Sequence, residues 1–182
     1  MALSGAEKVQ RKILSQEQPE AENRMKREKK AAIVCCSNGR RRSEEGKIQE
    51  LEQVLRKMGV VPVFSDRIYT EEGQNGPTGR ERAEGLMKFY RDDSIREIFD
   101  LSGGDIANEI LPYLDYETIA RSGKRFWGYS DLTAVINAVN CRTGNESVLY
   151  QVKNLVGEYK EVQREAFRKY LFQESDELTR FS

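Results

Sequence analysis

The stretch AAIVCCSNGRRRSEEGKIQELEQVLRKMGVVPVFSD, residues 31–66, decides the fold. Its first seven residues form a continuous apolar run between a charged segment and Asn-Gly, which is typical of a strand buried on both faces. KIQELEQVLRKMG, 47–59, repeats apolar residues at intervals of three and four and ends at a glycine, so it predicts an amphipathic helix. VVPVFSD, 60–66, predicts a second strand. This order indicates a right-handed βαβ unit.

The rest of the chain continues the alternation. Helical spacing returns over 81–92, a strand is predicted over 94–102, and one or two short helices broken near Pro112 are predicted over 105–123. A fourth strand, 124–129, leads into a helix over 131–144, followed by a further candidate strand and a charged helix. These elements predict an α/β fold with three layers, a mostly parallel sheet flanked by helices.

Composition narrows the classes of partner. Thirty basic and thirty acidic residues give zero formal net charge, so we expect no nucleic-acid partner. No apolar run reaches the length of about 20 residues that spans a bilayer, and the N-terminus lacks the apolar core of a signal peptide. We therefore expect no membrane association and a cytoplasmic location. Cys35, Cys36 and Cys141 lack metal-type spacing, so buried, reduced thiols and no metal are expected.

The chain contains no histidine. This absence removes every histidine general base, every histidine metal ligand and every complete Ser-His-acid triad from these 182 residues. Chemistry of that kind would need a base from elsewhere.

Ser130 stands on a corner between the fourth strand and its helix, in KRFWGYSDLTAVINAV, 124–139. A serine on such a turn has its hydroxyl pushed out of the sheet, with the following amides facing any oxyanion formed there, as in a nucleophile elbow. The second glycine of the usual G-x-S-x-G form is missing. The alternative is that Ser130 caps the helix, since serine is a favoured N-cap residue.

A glycine pair ends the preceding strand, in Ser102-Gly103-Gly104-Asp105. Because the carboxyl ends of parallel strands meet at one edge of the sheet, this turn is expected near Ser130. Adjacent glycines let backbone amides approach a ligand closely, which suits the second donor of an oxyanion hole. The alternative is a simple turn.

These segments carry a resemblance. GGDIANEILPYLDYETIARSGKRFWGYSDLTAV, with Gly79-Arg80-Glu81-Arg82-Ala83 upstream, resembles the signature of the LD-carboxypeptidase family of serine peptidases, which includes the microcin C self-immunity peptidases. The similarity runs from about residue 31 to about residue 156. It implies an N-terminal domain of the flavodoxin or class I amidotransferase-like type.

The resemblance also implies roles for particular residues. Ser130 matches the nucleophile, the amide of Asp131 and one from Gly103 or Gly104 match the oxyanion hole, and Asn108 lies on the substrate side. Family members hydrolyse amide bonds beside a free carboxylate, in murein tetrapeptides or aminoacyl-nucleotide conjugates, with Ser, His and Glu and without cofactor or metal. The expected substrate is therefore a peptide or peptidyl conjugate with a free carboxylate.

Three departures from the family pattern matter. The family's glutamate and histidine come from a C-terminal domain that these 182 residues do not contain, and Glu109, Glu117 or Glu146 is not assigned to replace them. Cys36-Ser37-Asn38 stands where the family has Pro-Ser, and Tyr150-Gln151-Val152 stands where it has His-Gly-Pro. The substrate specificity stays open.

The expected organisation is a charged extension over 1–30, the α/β domain over 31–156, and a charged helical tail or linker over 157–182. Two functions stay open: the nucleophile-bearing half of a serine carboxypeptidase, inactive alone and completed by the missing domain, or a non-catalytic module that binds a carboxylate or phosphate. A homodimer is also open. A nucleotide site at SNGRRRSEEG lacks the G-x-G-x-x-G fingerprint, and its arginines, 40–42, are expected to be a solvated loop.

Overall fold

The structure, a computed structural model, describes residues 29–70 and 76–173. The predicted extension over 1–30 lies outside these ranges except for its last two residues, which begin the first strand. The described strands are β1 Lys29–Val34, β2 Arg40–Arg41, β3 Val60–Phe64, β4 Tyr69–Thr70, β5 Ile95–Asp100, β6 Arg125–Gly128 and β7 Ser147–Leu149. The α-helices are α1 Glu45–Lys57, α2 Gly79–Arg91, α3 Tyr116–Ser122, α4 Thr133–Thr143 and α5 Lys160–Leu171. Short 3-10 helices cover Arg42–Glu44, Ala107–Tyr113, Ser130–Leu132 and Val152–Val156.

Five strands form one sheet in the order β3-β1-β5-β6-β7. Every neighbouring pair is parallel, and Ala32 of β1 aligns with Val63 on one side and Ile98 on the other. The predicted α/β fold with a parallel sheet is therefore confirmed. Because β5 lies at the centre, between β1 and β6, the segment that follows it lies beside the carboxyl ends of those two strands.

Helices cover both faces of the sheet, which explains the continuous apolar runs of the strands. Ala31 and Ile33 of β1 face a cluster with α1 and α5, whereas Ala32 and Val34 face a cluster with α2, α3 and α4. A strand buried on both faces has no solvent side, so its sequence does not alternate between apolar and polar residues. The three layers follow from this pattern.

The adjacent cysteines, Cys35 and Cys36, follow the same alternation into the two clusters and are buried, free thiols, as predicted. Burial raises the pKa of both thiols, which disfavours the reactive thiolate form. Cys141 differs from the prediction, because it lies exposed on α4.

Helix α5 belongs to the core, although the predicted domain boundary at residue 156 places it outside. Phe167 and Leu171 are completely buried. The Phe167 ring lies 5.3 Å from Trp127 and 5.6 Å from Phe99, measured between ring centroids. Aromatic contacts of this kind bury large apolar areas. The described part of the predicted charged tail is thus a structural helix of the α/β domain.

Two local features differ from the sequence analysis. Pro112 lies inside the 3-10 helix Ala107–Tyr113, and the break comes after it, at Leu114. The segment after β3, for which the sequence predicted no strand, contains β4, which pairs in parallel with β2 as a separate two-stranded sheet. Of the helices in residues 29–70 and 76–173, none has both the length and the apolar character that crossing a bilayer requires.

Candidate active site

The corner after β6 holds Ser130 in an unusual backbone conformation. Its φ is +61°, in the left-handed region that costs a residue other than glycine about 1–2 kcal/mol. Tyr129, not Ser130, occupies the N-cap position, and no side chain caps this turn. The alternative interpretation of Ser130 as a helix cap therefore does not describe the structure. Backbone strain of this kind is typical of functional sites.

Gly128 makes the sharp corner sterically feasible. A Cβ at this position would lie 2.7 Å from the Cβ of Leu132, closer than real side chains approach each other. Leu132 occupies the position of the second glycine in the usual elbow, and its side chain is completely buried. The glycine at 128 therefore allows the backbone to approach the Leu132 side chain closely, and no second glycine is needed at position 132.

The corner leaves a hydroxyl and two amides available. The first backbone bond of the turn runs from the Leu132 amide to the Tyr129 carbonyl, 3.3 Å, so the amides of Ser130 and Asp131 precede the helical ladder. Ser130 is exposed, and its hydroxyl makes no hydrogen bond to any residue that the structure describes. Such a group is accessible to a substrate.

The glycine pair after β5 lies at the same edge of the sheet. Gly104 is exposed with a φ of +148°, and a Cβ there would lie 2.6 Å from Cγ of Asn38. Glycine is therefore required both by the backbone conformation and by the contact with the loop after β1. Within residues 29–70 and 76–173, the amides of Gly103 and Gly104 have no hydrogen-bond partner.

The carboxylate of Asp131 joins three loops. Its Oδ2 accepts hydrogen bonds from the hydroxyl of Ser37, 2.5 Å, and from the amide of Ala107, 3.3 Å. Ser37 follows β1, and Ala107 follows the glycine pair. Its Oδ1 is buried and has no partner among the described residues. The Asp131 side chain thus links the corner to the loops after β1 and β5.

Asp100, at the end of β5, holds the loops after β1 and β5 together by hydrogen bonds. It is completely buried, and it accepts hydrogen bonds from the amides of Cys36, 2.8 Å, and Ser102, 2.7 Å. The Ser102 hydroxyl in turn accepts one from the Ser37 amide, 3.0 Å. Burial raises the pKa of the Asp100 carboxyl, although these hydrogen bonds oppose the effect. The loops after β1 and β5 are consequently held in one arrangement.

Arg82 of α2 forms hydrogen bonds with the same two loops. Its guanidinium is almost fully buried and donates to the carbonyls of Cys36, 3.1 Å, and Ile106, 3.0 Å. It also pairs with Glu109 at 2.7 Å. No role for Arg82, Asp100 or the side chain of Asp131 was predicted from the sequence, where the signal for Arg82 and Asp100 is a charged residue within an apolar pattern.

Asn108, the predicted substrate-side residue, is exposed at the start of the 3-10 helix Ala107–Tyr113. It directly follows Ala107, whose amide binds Asp131. Its side chain has no hydrogen-bond partner among the residues that the structure describes. Asn108 is therefore accessible beside the glycine turn.

The three glutamates that were not assigned a catalytic role all pair with arginines. Besides Glu109 with Arg82, Glu117 pairs with Arg121 at 3.4 Å, and Glu146 lies 3.7 Å from Arg125. None of them is shown at the Ser130 corner. The described residues also contain no group of three or more His, Cys, Asp or Glu that could hold a metal ion.

Comparison with known proteins agrees with this arrangement of strands, corner and glycine turn. Residues 31–150 match the sequence profile described as the LD-carboxypeptidase N-terminal domain. This chain belongs to the LD-carboxypeptidase family. The match includes the corner serine, the glycine pair and the buried Asp100.

Named relatives are carboxypeptidases and self-immunity proteins. A putative carboxypeptidase of Vibrio cholerae is 37% identical over 95 residues, 50% of this chain and 28% of that protein. The solved microcin C7 self-immunity protein in complex with aspartyl sulfamoyl adenosine has a TM-score of 0.70 at 23% identity, covering 85% of this chain and 45% of that one. A muramoyltetrapeptide carboxypeptidase from Oxalobacter formigenes has a TM-score of 0.51 at 25% identity, covering 60% of this chain and 36% of that one.

This chain spans less than half the length of these relatives. The self-immunity structure, at 23% identity, shows the shared fold.

Proposed function

We propose that this chain carries the nucleophile of a serine carboxypeptidase that hydrolyses an amide bond next to a free carboxylate. The observation that carries the proposal is the left-handed Ser130 at +61°, with an exposed hydroxyl beside backbone amides that precede the helical ladder. A helix cap would place the serine one position earlier and engage its hydroxyl. A nucleophile needs it exposed and free.

The proposed roles follow from this geometry. The Ser130 oxygen attacks the scissile carbonyl carbon, and its proton passes to a histidine that must come from outside these residues. The oxyanion accepts hydrogen bonds from the Asp131 amide and from one amide of Gly103 or Gly104. The amine leaves with the proton, and water then releases the acyl group from Ser130 as a carboxylate.

Without a histidine base, the isolated chain is not expected to hydrolyse a substrate. A serine hydroxyl near its usual pKa is a poor nucleophile until a base removes its proton, and the chain has no histidine. We therefore propose that the 182 residues are inactive alone and act together with a histidine- and glutamate-bearing domain. The substrate is a murein peptide or an aminoacyl-nucleotide conjugate, and the cytoplasmic location remains a prediction.

Complementation tests this proposal. The chain is mixed with the separately produced C-terminal domain of a carboxypeptidase relative, and cleavage of an LD-linked tetrapeptide is measured by mass spectrometry. We expect turnover in the mixture, none for either part alone, and none with Ser130→Ala. Turnover that survives Ser130→Ala contradicts the proposal, and Asn137→Ala on the exposed face of α4 provides a matched control.

The lack of histidine favours a second candidate, a binding module without catalysis. In that case the glycine turn and the corner amides hold a carboxylate, and Ser130 is not needed for affinity. Calorimetry with the tetrapeptide separates the two candidates. Binding that Ser130→Ala leaves unchanged, together with no turnover in the complementation mixture, supports the module.

A further inference from the structure

A small cleft lies between α1 and the 3-10 helix Val152–Val156. Its volume is about 230 Å³, and its apolar wall consists of Ile48, Leu51 and Val156. Its polar lining comes from Arg40, Glu44, Lys47 and Lys153. The cleft is smaller than the roughly 300–1,000 Å³ pockets of drug-sized ligands, so it suits a compact group.

Positive charge dominates the cleft. Glu44 is already engaged, because it pairs with Arg40 and accepts a hydrogen bond from the Arg41 amide at 3.2 Å. Neither Lys47 nor Lys153 forms a salt bridge with a residue in the described ranges. The lining therefore carries three cations against one carboxylate, and neither lysine has a salt-bridge partner within the described ranges.

Lys153 is the unusual member of the group. Its side chain is only partly exposed, and burial together with the charge of Arg40 lowers its pKa. The charges of Glu44 and Asp100 oppose this effect, but the Lys153 ammonium forms no hydrogen bond with a described residue that would compensate for its lost solvation. An anion entering the cleft would provide that compensation.

The cleft flanks the candidate active site. Arg40 follows two residues after Asn38, which contacts Gly104. Lys153 follows two residues after Gln151, whose side-chain amide donates to the Ser102 carbonyl at 3.4 Å. Both loops that border the glycine turn therefore continue directly into the basic lining of the cleft.

We propose that this cleft, lined by Arg40, Lys47 and Lys153, binds a phosphate group. Phosphate carries up to two negative charges and several acceptor oxygens, which matches cations that converge from separate elements. A monovalent carboxylate would leave one of the two charges unbalanced. The phosphate can be free inorganic phosphate or the phosphoryl group of a nucleotide, and its binding does not depend on Ser130 as a nucleophile.

Calorimetric titration at constant ionic strength tests the site, with inorganic phosphate, adenosine monophosphate and adenosine as probes. We expect phosphate and the nucleotide to bind, and Lys153→Gln to weaken both at least about tenfold, the usual scale for a hydrogen bond to a charged group. Lys47→Gln, which removes an exposed lysine and leaves the core intact, is expected to weaken both by roughly two- to fivefold. Lys88→Gln, exposed on α2 across the sheet, is the matched control and leaves both affinities unchanged.

The outcomes separate the ligand sources and the competing explanations. Tighter binding of the nucleotide than of phosphate, with equal loss in Lys153→Gln, assigns the site to a nucleotide phosphoryl group. Equal affinity for adenosine and its monophosphate overturns the proposal, as does an equal effect of Lys153→Gln and Lys88→Gln. Ser130→Ala leaves phosphate binding unchanged even if the hydrolase proposal fails.

Discussion

The left-handed backbone of Ser130 makes a sharp prediction about stability. Ser130→Gly and Ser130→Ala both remove the hydroxyl, which binds no described residue, so they differ only in backbone preference. Alanine keeps the left-handed cost of about 1–2 kcal/mol, whereas glycine avoids it. Glycine loses about 0.4–1 kcal/mol through the greater freedom of its unfolded chain. We expect Ser130→Gly to be more stable than Ser130→Ala by about 0.5–1 kcal/mol.

Urea denaturation followed by circular dichroism measures this difference. With a urea dependence of about 2 kcal/mol/M, the midpoint of Ser130→Gly should exceed that of Ser130→Ala by roughly 0.25–0.5 M. The matched pair is Asn137→Gly and Asn137→Ala on the exposed face of α4, where alanine should be the more stable by about 1 kcal/mol. If both pairs favour alanine, Ser130 is not held in a strained conformation, and the main argument for an elbow is lost.

Three further perturbations test other parts of the structure. Gly128→Ala should lower the free energy of unfolding by about 1–3 kcal/mol, because the alanine Cβ would have no room. Gly46→Ala on α1, where a Cβ would meet nothing within 4 Å, should be neutral or stabilising by up to about 1 kcal/mol. Chemical denaturation of both variants measures this difference. Phe167→Ala should cost about 3–5 kcal/mol if α5 is part of the core, against less than about 0.5 kcal/mol for the exposed Val162→Ala in the same measurement. Asp100→Asn should change the pH dependence of the free energy of unfolding, measured by denaturation at several pH values. Because burial raises the folded pKa of Asp100, the stability that this carboxyl contributes is largest below the unfolded pKa of about 3.9 and is lost as the pH rises through the folded pKa. The difference in unfolding free energy between wild type and variant should therefore decrease over that pH interval.

Asp115 provides the opposite case for the pH experiment. Hydrogen bonds from Thr118 lower the pKa of this carboxyl, so its contribution is present above the unfolded pKa and is lost as the pH falls. The difference between wild type and Asp115→Asn should therefore increase with pH. Parallel trends for Asp100→Asn and Asp115→Asn would contradict the assignment of opposite pKa shifts. For the other pairs, a costly Gly46→Ala or a neutral Phe167→Ala would contradict the packing.

The layered fold could be predicted because the sequence of the central strand β1 contains a continuous apolar run. Ala31 to Val34 lie in two different cores, and only burial on both faces accounts for that composition. Helix α5 was harder to place, because charged residues outnumber its apolar ones and its two deepest side chains, Phe167 and Leu171, are four residues apart. Strands β2 and β4 have two residues each, too few for a period to be detected.

The candidate site divides in the same way. The corner serine and the glycine pair were predictable because turn residues after strands share one edge of a parallel sheet. The supporting contacts were not predictable, because they join residues distant in sequence: hydrogen bonds from the amide of Cys36 to Asp100 and from the hydroxyl of Ser37 to Asp131, and the close packing of the Asn38 side chain against Gly104. A single sequence carries no sign of which polar residues will meet.

The hydrogen bond from Ser37 to Asp131 also sets an order of events during folding. It closes a separation of 94 residues, and the Cys36 amide reaches Asp100 over 64. Bringing together residues so distant in sequence costs chain entropy before any contact compensates for it, so we expect these two hydrogen bonds to form late in folding. A nascent chain could build the first βαβ unit early in its synthesis, but the serine corner would gain its partners only after the fourth large strand had emerged and docked.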